Sequence, residues 1–342
     1  MRNDLLLAYF NHKAYTSRTP VSVLIELLTQ CNFKCEHCYI PNRTYTGMKE
    51  SEAKKLLEQL RKLGVISVLL SGGEIFLRND IFDIISYARE MHMRVTLLSN
   101  ASLLDRAKIA KLSKLYVTEF STTIFSMNPT INDSITKTER SLAAILVNLQ
   151  LLKEYGIKTK VKMPIMKKNA HCVDDVVAYC NENQFEFMPS FSISLKMDGE
   201  CSPKNLRIDQ GCMQRNLTKI DSYFESVKNK LKTPAKNDPC PAIFCSFSID
   251  CNGDVFPCNS VPYKVGNIFE ESVIDIWNHS ERLKYIQSIK MMDLEDCIKC
   301  PYASDCDPCI GLALLEGKGL KSCDPVAKTV AIARAANRQG LV

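Results

Sequence analysis

The sequence predicts an α/β fold in which six strand–helix units are followed by a small, loop-rich domain. Two observations lead to this fold class. Between residues 21 and 195, short apolar runs alternate with longer segments whose apolar residues recur at helical spacing. From residue 240 to residue 325, prolines, glycines and cysteines interrupt the apolar runs, so this part cannot bury much core and metal sites would have to stabilise it.

The six apolar runs of the first part have the length and composition of β-strands. The segments between them are typical of helices, and Gly64 and Gly156 follow two of them, where a left-handed C-terminal residue is expected. Six such units predict parallel strands in a partial (β/α)6 barrel of the TIM type, with its chemistry at the C-terminal strand ends. The predicted strands are Val21–Leu28, Ile66–Leu70, Val95–Leu98, Leu115–Phe120, Lys158–Met163 and Glu186–Ile193.

Composition divides the chain further. Residues 196–239 are polar and broken by prolines and a glycine, which indicates a linker. The stretch from Pro325 to Arg338 is rich in alanine and predicts a helix. We therefore expect an N-terminal extension (1–20), the barrel (21–195), the linker (196–239), the cysteine-rich domain (240–325) and a C-terminal helix or tail (326–342).

The charge pattern gives no sign of a nucleic-acid or membrane partner. The 44 basic and 38 acidic residues leave a net charge of +6, and this excess is scattered without a run of like charges. The N-terminus has only a short apolar stretch and no small-residue cleavage site, and no window approaches 18 continuous apolar residues. We therefore expect a cytoplasmic protein.

Cysteine content is the unusual feature of the composition. The chain has 16 cysteines, of which three fall between residues 31 and 38 and nine between residues 240 and 323. The cytosol keeps thiols reduced, so a disulfide framework is not expected there. Clustered thiolates in such a protein indicate metal ligands.

The first cysteine group directly follows the first predicted strand. Its sequence is Cys31-Asn-Phe-Lys-Cys35-Glu-His37-Cys38, so three thiolates can surround one metal cluster. A cubane iron–sulfur cluster usually takes four cysteines, so three local ligands leave one iron open for a small molecule. A zinc site with His37 as fourth ligand is the alternative, although two adjacent residues could not easily reach one ion.

This CxxxCxxC spacing resembles that of the radical SAM superfamily. The resemblance implies that the open iron binds the amino and carboxylate groups of S-adenosylmethionine. It also implies that an electron from the reduced 4Fe–4S cluster cleaves this cofactor to a 5′-deoxyadenosyl radical. In the family, the position of His37 is usually aromatic and lies against the adenine.

Two further segments resemble the cofactor-binding motifs of the family. Gly72-Gly73-Glu74 ends the second predicted strand, as the GGE motif does, which implies that it binds the methionyl amino group. Glycines there would let the backbone approach a ligand closely, and the carboxylate could hold an ammonium. Ser99-Asn100-Ala101 is similar to the T-N-G segment near the ribose, with alanine in place of glycine.

The region after the fourth predicted strand also resembles a family pattern. When the pattern is aligned on Asp133 and Thr136, its serine falls on Thr123, which keeps a hydroxyl and would bind the cofactor carboxylate. Two glycines of the pattern fall on Lys137 and Arg140, which we interpret as solvated charges.

The segment from Cys240 to Cys323 resembles the SPASM domain, which carries two auxiliary 4Fe–4S clusters. The pattern is Cys240-x4-Cys245, Gly253-x4-Cys258, Cys297-x2-Cys300-x5-Cys306-x2-Cys309 and a closing Cys323. The resemblance implies three clusters in all. It implies that the inner auxiliary cluster is bound by Cys240, Cys245, Cys258 and Cys309, and the outer one by Cys297, Cys300, Cys306 and Cys323.

A pair of zinc ribbons would also use CxxC pairs, so zinc remains the alternative for this segment. Five cysteines are left over: Cys172, Cys180, Cys201, Cys212 and Cys251. Buried structural thiols are the default interpretation of each. One of them, Cys212 or Cys201, is instead a candidate hydrogen donor to a substrate radical.

SPASM enzymes mostly act on peptides or proteins, so the resemblance implies an oxidoreductase that abstracts hydrogen from a ribosomally made peptide and most simply forms an intrapeptide crosslink. A peptide epimerase and a maturase of a protein or quinone-cofactor precursor are alternatives. The sulfatase-maturing branch uses an aspartate base where this chain has Asn259, and an amide is not a base. A zinc-stabilised binding protein is the alternative from a different class.

The resemblance also implies partners. A precursor peptide would be the substrate, and reduced flavodoxin or ferredoxin would be the electron donor. Only about twenty residues precede the predicted barrel, too few for a folded recognition domain. A leader peptide would therefore bind the barrel directly or require a separate leader-recognition protein.

Overall fold

The computed structural model of the protein describes residues 12–228 and 237–338, with the side chains of 222–228 left out. The first 11 residues of the predicted N-terminal extension, residues 229–236 of the predicted linker and residues 339–342 of the predicted tail lie outside the described residues.

In the described part of the chain, a single sheet of nine strands organises the molecule. The strands are β1 Ser22–Glu26, β2 Ser67–Ser71, β3 Arg94–Leu98, β4 Glu119–Thr123, β5 Thr159–Pro164, β6 Glu186–Ser190, β7 Ser246–Ile249, β8 Asp254–Phe256 and β9 Gly266–Asn267. Their order is β6-β5-β4-β3-β2-β1-β7-β8-β9, and the sheet does not close into a barrel. Strands β1 to β7 pair in parallel, and the last three form antiparallel pairs. The prediction of a partial barrel of parallel strands is confirmed.

Helices connect the parallel strands. Their bounds are α1 Glu50–Leu63, α2 Ile81–Glu90, α3 Arg106–Lys114, α4 Pro129–Thr136, α5 Ser141–Glu154, α6 Val173–Asn183, α7 Gln210–Lys228, α8 Val273–His279, α9 Glu281–Ser288, α10 Glu295–Ile298, α11 Ile310–Leu315 and α12 Pro325–Arg338. The predicted C-terminal helix is confirmed as α12. Gly64 ends α1 with a φ of +100°, as the glycine at that position predicts.

The main core lies between the sheet and these helices. Side chains alternate between the two faces of each strand, and those on one face form this core. Val23 and Ile25 of β1 and Val68 of β2 are examples, and all three are buried. The residues between them, such as Leu24, are only half-buried and lie on the opposite face. We call that opposite face of the sheet the inner face, and it carries the site residues described below.

The fourth strand begins later than predicted. The prediction began at Leu115, but this residue ends α3, and its amide donates a hydrogen bond to the carbonyl of Lys111. Tyr116 then has a left-handed φ of +52°, which turns the chain before β4 starts at Glu119. The apolar run there belongs partly to a helix end, which periodicity alone cannot distinguish from a strand.

The segment interpreted as a linker contains a helix of 19 residues, α7. Its buried residues Met213, Leu217 and Ile220 recur at spacings of four and three, and they join the main core. The helix also packs against α12. Polar residues between these positions hid the helical pattern, so the sequence analysis did not identify α7 within this segment.

The cysteine-rich domain adds strands to the barrel sheet, which the sequence did not predict. Strand β7 pairs in parallel with β1, from Ser22 opposite Ser246 to Ile25 opposite Ile249. The loop-rich part is thereby joined to the barrel by backbone hydrogen bonds. Across the described residues, no helix is both long and apolar enough to cross a membrane.

Candidate functional site

The loop after β1 carries Cys31, Cys35 and Cys38, and Arg43 holds this loop in shape. The Arg43 guanidinium donates hydrogen bonds to the carbonyl oxygens of Phe33, at 3.2 Å, and of Cys35, at 3.0 Å. A planar guanidinium can bridge two carbonyl groups in this way, whereas a lysine ammonium lacks the rigid fork. The sequence analysis did not identify Arg43, since nothing in the cysteine spacing indicates it.

The three thiols of this loop lie close enough to influence one another. Burial and the neighbouring thiols Cys38 and Cys31 raise the pKa of Cys35 to about 12. Burial also raises the pKa of Cys31, and Glu74 and Cys38 contribute to that rise. Three half-buried thiols placed so close together fit a site that holds positively charged metal, because metal binding stabilises thiolates.

Two lysines bind the same loop from outside. The Glu36 carboxylate pairs with Lys137 and, at 2.8 Å, with Lys168. Lys137, which we interpreted as a solvated charge, therefore has a partner in the cysteine loop. Arg140 is exposed, as predicted.

The predicted Gly-Gly-Glu segment packs tightly against the start of the cysteine loop. The Gly73 amide donates to the Leu28 carbonyl at 2.9 Å, and the Glu74 amide donates to the Gln30 carbonyl at 2.8 Å. A Cβ atom on Gly73 would lie 2.2 Å from the Gln30 oxygen, and Gly72 has a φ of +141°. Neither position therefore accommodates a side chain, and this close approach fixes the end of β2 against the loop.

Glu74 is completely buried and connects β2 to β3. Its carboxylate accepts hydrogen bonds from the amide of Phe76 at 3.0 Å, the hydroxyl of Ser99 at 2.8 Å and the amide of Asn100 at 2.8 Å. Burial raises the pKa of Glu74, and these three bonds partly oppose that rise. Ser99, predicted near the ribose, thus positions Glu74. The Asn100 side chain reaches towards the cysteine loop and lies 3.9 Å from the sulfur of Cys31.

Thr123 and Lys162 are paired at the ends of β4 and β5, both on the inner face. Lys162 is half-buried, and no ion pair or hydrogen bond of its ammonium is found among the described residues. Burial and the nearby Lys160 lower the pKa of Lys162. Lys162 is therefore a partly desolvated cation that lies beside Thr123, the hydroxyl predicted to bind the cofactor carboxylate. The sequence analysis did not identify Lys162.

The ring of His37 packs edge-on against Phe125, with 5.0 Å between the ring centroids. Burial and the nearby Arg43 lower the pKa of His37 to about 4, so the imidazole is neutral. Its Nδ1 atom is buried without a hydrogen-bond partner in the described structure. A neutral, flat ring with an unused polar atom fits the predicted contact with an aromatic base.

The C-terminal cysteines fall into two groups, and these coincide with the two sets predicted from the sequence. In the first group, Cys240 influences the pKa of Cys245 and of Cys258, and Cys258 influences that of Cys309. In the second group, Cys297, Cys300, Cys306 and Cys323 line one small cavity, and burial and neighbouring charges raise the pKa of Cys306 to about 12. No three Cys, His, Asp or Glu side chains of the described chain converge tightly enough for a single metal ion.

The five remaining cysteines are dispersed. Cys172 and Cys180 are buried in the core, Cys201 is exposed, and Cys212 lies on α7, where it accepts a weak hydrogen bond from Asn216. Cys251 is buried, with a pKa raised to about 12 by burial and by nearby carboxylates, and it lines a large cavity. Cys212 and Cys201 do not line it. The thiol at this cavity is thus one that the sequence analysis did not select.

This cavity, which we call the junction cavity, has a volume of about 570 Å³. It lies between the cysteine loop after β1 and the turn that joins β7 to β8. Tyr39, which follows Cys38, and Asn259, which follows Cys258, both line it, and the Tyr39 hydroxyl donates a hydrogen bond to the Glu26 carboxylate. The remaining lining residues include Glu26, Thr29, Ile40, Asp198, Ser248, Asp250 and Phe256.

Comparison with known families agrees with this geometry. The sequence profile of the Radical SAM superfamily matches residues 25–180, from the end of β1 into α6. Residues 25–180 therefore form a radical SAM domain. A second profile, that of the iron–sulfur cluster-binding SPASM domain, matches residues 240–307. As a radical SAM protein with a SPASM domain, the chain is an enzyme that uses S-adenosylmethionine and 4Fe–4S clusters.

Two curated relatives of this radical SAM enzyme align over most of its length. The antilisterial bacteriocin subtilosin biosynthesis protein AlbA of Bacillus subtilis (strain 168) is 25% identical over 85% of this chain and 67% of its own. The AdoMet-dependent heme synthase of Methanosarcina barkeri is 24% identical over 86% of this chain and 92% of its own. The relatives therefore include proteins of quite different activity.

A solved structure has the same fold. Streptococcus suis SuiB bound to the precursor peptide SuiA superposes with a TM-score of 0.72, over 94% of this chain and 80% of SuiB. The two sequences are 18% identical, so this likeness shows the fold alone.

Proposed function

We propose that this radical SAM enzyme modifies a peptide, and that its product is most simply a new bond within that peptide. The position of the junction cavity is the observation that carries the proposal, since its wall holds Tyr39 beside Cys38 and Asn259 beside Cys258. A substrate in this cavity would lie next to both the first and the inner auxiliary cysteine groups. AlbA is a bacteriocin biosynthesis protein and SuiB binds a precursor peptide, which supports a peptide as substrate.

In this proposal, Cys31, Cys35 and Cys38 hold the 4Fe–4S cluster that binds S-adenosylmethionine. When bound, the reduced cluster and this cofactor supply a means of removing a hydrogen atom from an unactivated carbon. His37 lies against the adenine, and its buried, unpartnered Nδ1 supports that role. Such a reactive centre leaves selectivity to positioning, so the walls of the cavity must decide which substrate atom is attacked.

The other proposed cofactor contacts come from four strand ends. The Gly72-Gly73-Glu74 segment holds the methionyl ammonium, with the buried Glu74 carboxylate as its partner. Ser99 positions that carboxylate, and Asn100 lies between it and the cysteine loop. Thr123 and Lys162 bind the methionyl carboxylate, and the lack of any other partner for Lys162 among the described residues supports its role.

The two C-terminal cysteine groups would hold two auxiliary clusters, which brings the total to three. An oxidative product requires a second electron to leave the substrate, and a cluster held by the inner auxiliary cysteines would supply a place for it. A reduced flavodoxin or ferredoxin would supply the first electron. Asn259 stands where the sulfatase-maturing enzymes have a basic aspartate, so that reaction remains disfavoured.

The lining of the junction cavity favours a peptide over a porphyrin. Porphyrin substrates of haem synthesis carry carboxylate side chains, whereas the cavity presents the carboxylates of Glu26, Asp198 and Asp250. No lysine, arginine or histidine of the described chain lines it. Placing further carboxylates there would be repulsive, so the resemblance to the heme synthase does not extend to this cavity.

The direct experiment supplies the reconstituted enzyme with short peptides encoded beside its gene, under anaerobic conditions with S-adenosylmethionine and dithionite. We expect a product lighter by two hydrogen atoms and transfer of substrate deuterium into 5′-deoxyadenosine, both measured by mass spectrometry. The triple variant Cys31→Ala, Cys35→Ala, Cys38→Ala should form neither. The double variant Cys172→Ala, Cys180→Ala changes only cysteines outside the three groups and should retain activity if it folds.

Peptide epimerisation is the second candidate, and Cys251 is the observation that favours it. A buried thiol with a raised pKa stays protonated, which suits donation of a hydrogen atom. An epimerase would give a product of unchanged mass in ordinary water and a product with one added deuterium in heavy water. The variant Cys251→Ala should not incorporate this deuterium. Turnover of a porphyrin with no reaction on any peptide would contradict the peptide proposal.

A further inference from the structure

The junction cavity has an acidic interior built from two neighbouring strands. Glu26 is the last residue of β1, and Ser248 lies on the adjacent strand β7 opposite Leu24. Alternation along the strands places both side chains on the inner face, where they line the cavity. Asp250 follows β7 directly and lines the same wall.

Of the two carboxylates on this wall, Glu26 and Asp250, Glu26 accepts fewer hydrogen bonds. One oxygen accepts a hydrogen bond from the hydroxyl of Tyr39, and no partner of the other oxygen occurs among the described residues. Asp250, by contrast, accepts hydrogen bonds from the amides of Asn252 and Asp254 in the turn after β7. Glu26 can therefore accept a further donor without giving up an existing partner.

Ser248 supplies an independent sign that the cavity binds a polar ligand. Its side chain is buried, with 4% of the residue exposed, and its hydroxyl has no hydrogen-bond partner in the described structure. An unpaired buried hydroxyl destabilises a protein, so such groups usually have a partner that is bound in function. A ligand that donates hydrogen bonds would satisfy Ser248 and Glu26 together.

The walls also fit an alkyl stem. Ile40, Pro41, Tyr45 and Phe256 line the cavity together with the carboxylates. Long basic side chains have this dual character, because an apolar stem carries the charged group. The exposed Asp198 at the rim extends the negative field to the opening.

We infer that the junction cavity binds a positively charged side chain, that of lysine or arginine, of the peptide substrate, with Glu26 as its principal partner and Ser248 as a second acceptor. This inference rests on the proposed function, because it names the residue class that the peptide presents beside the clusters. Bound there, a basic residue fixes the register of the peptide and so determines which neighbouring residue faces the reactive centre.

The test measures binding and not turnover, on the holoenzyme with its clusters reconstituted. The probes are three blocked tetrapeptides, Ac-Ala-Phe-Xaa-Ala-NH2, in which Xaa is lysine, norleucine or glutamate, followed by ligand-observed NMR. Norleucine keeps the alkyl stem without the charge. We expect lysine to bind at least tenfold more tightly than norleucine and glutamate to bind least.

Variants assign the effect to the cavity. Glu26→Gln keeps the shape of the side chain and should reduce the preference for lysine over norleucine to less than threefold, and Asp250→Asn should reduce it less. Glu271→Gln changes an exposed carboxylate outside the cavity and should leave the preference unchanged. Unaltered circular dichroism and iron content would show that the variants are folded.

The pH dependence gives a second measurement. Burial and Asp250 raise the pKa of Glu26, whereas the Tyr39 hydrogen bond lowers it, and the buried Cys251 thiol is the other titratable neighbour. The lysine ammonium stays charged below pH 9, so the affinity for the lysine peptide should increase as pH rises through the raised pKa of Glu26 and its carboxylate ionises. The norleucine peptide should show no such increase.

The outcomes separate this inference from the proposed function. Equal binding of the lysine and norleucine peptides would overturn the cationic site and leave a peptide substrate in place. An unchanged lysine preference in Glu26→Gln would overturn the assignment to Glu26. Failure of all three peptides to bind, with a propionate-bearing porphyrin bound instead, would contradict the proposed function and this inference with it.

Discussion

Three residues near the cofactor site have left-handed backbone angles although none of them is glycine. Ala101, Lys137 and Arg140 have φ values of +64°, +55° and +57°. They are the positions at which the family pattern has glycine. The backbone therefore keeps the left-handed conformation that glycine adopts freely, although a side chain raises the energy of that conformation. A left-handed angle costs a residue other than glycine roughly 1–2 kcal/mol.

Arg140 is the position at which this cost can be measured most directly, because its side chain is exposed. Arg140→Gly should increase the free energy of unfolding by about 0.5 kcal/mol, since relief of the left-handed angle exceeds the extra entropy of glycine in the unfolded chain. Urea unfolding of the holoenzyme measures it. Arg140→Ala keeps the left-handed angle and should change the free energy of unfolding by less than Arg140→Gly does. Equal changes in the two variants would show that the backbone angle is not the cause.

The proposed contact of Lys162 with the methionyl carboxylate can be tested by cofactor binding. Lys162→Met should weaken binding of S-adenosylmethionine by about tenfold to a hundredfold, as expected for loss of a charge-assisted hydrogen bond. Equilibrium dialysis measures this without turnover. Lys158→Met removes an exposed lysine of the preceding loop and should have no effect. Binding of decarboxylated S-adenosylmethionine should not respond to Lys162→Met, and an equal loss there would contradict a contact with the carboxylate.

Residues whose role depends on neighbours near in sequence could be predicted, and those that depend on distant strands could not. The cysteine groups stood out because thiols that could serve one cluster recur at short spacing. Lys162 and Cys251 gave no such signal, since only the sheet brings them to the inner face and to the cavity. Glu26 did give one, because it is a carboxylate within the apolar run from Val21 to Leu28.

At the scale of elements, the alternation of strands and helices was readable because each unit repeats the same pattern. The helix α7 was missed because its apolar positions are diluted by polar residues and it becomes clear only where it meets α12. The addition of β7 to the sheet was missed for a related reason. Pairing between Ser22 and Ser246 joins residues more than two hundred positions apart, which no local pattern records.

The cysteine loop is an element without regular secondary structure, so its shape depends on side-chain contacts. Arg43→Ala should speed the loss of iron from the first cluster in the presence of a chelator, because two loop carbonyls lose their donor. The loss is followed by absorbance together with iron analysis. Arg43→Lys should restore only part of the stability, since one ammonium cannot reproduce the planar fork. A variant that kept iron as well as the parent would show that the cysteines alone shape the loop.

At the scale of the whole molecule, the sheet makes the barrel and the cysteine-rich domain one structure. Strand β1 leads into the cysteine loop, and its neighbour β7 leads into the turn that carries Asp250 and Cys251. The cysteine loop after β1 and the turn after β7 are therefore held side by side, with the junction cavity between them. This arrangement explains how a loop-rich domain can be placed accurately beside a reactive centre.

The division of the cysteines into three groups predicts how iron is lost when each group is removed. The anaerobically reconstituted enzyme should contain about twelve irons per chain, four in each of three clusters. It should be brown because charge transfer from thiolate to iron absorbs visible light, whereas zinc, with its full d shell, gives no colour. Alanine at Cys31, Cys35 and Cys38 should leave about eight irons and abolish cleavage of S-adenosylmethionine. Alanine at Cys297 and Cys300 should also leave about eight irons, yet retain some cleavage, since their cluster is not the one that binds the cofactor. A colourless protein with stoichiometric zinc, or cleavage that survives loss of the first group, would contradict the assignment of the three groups.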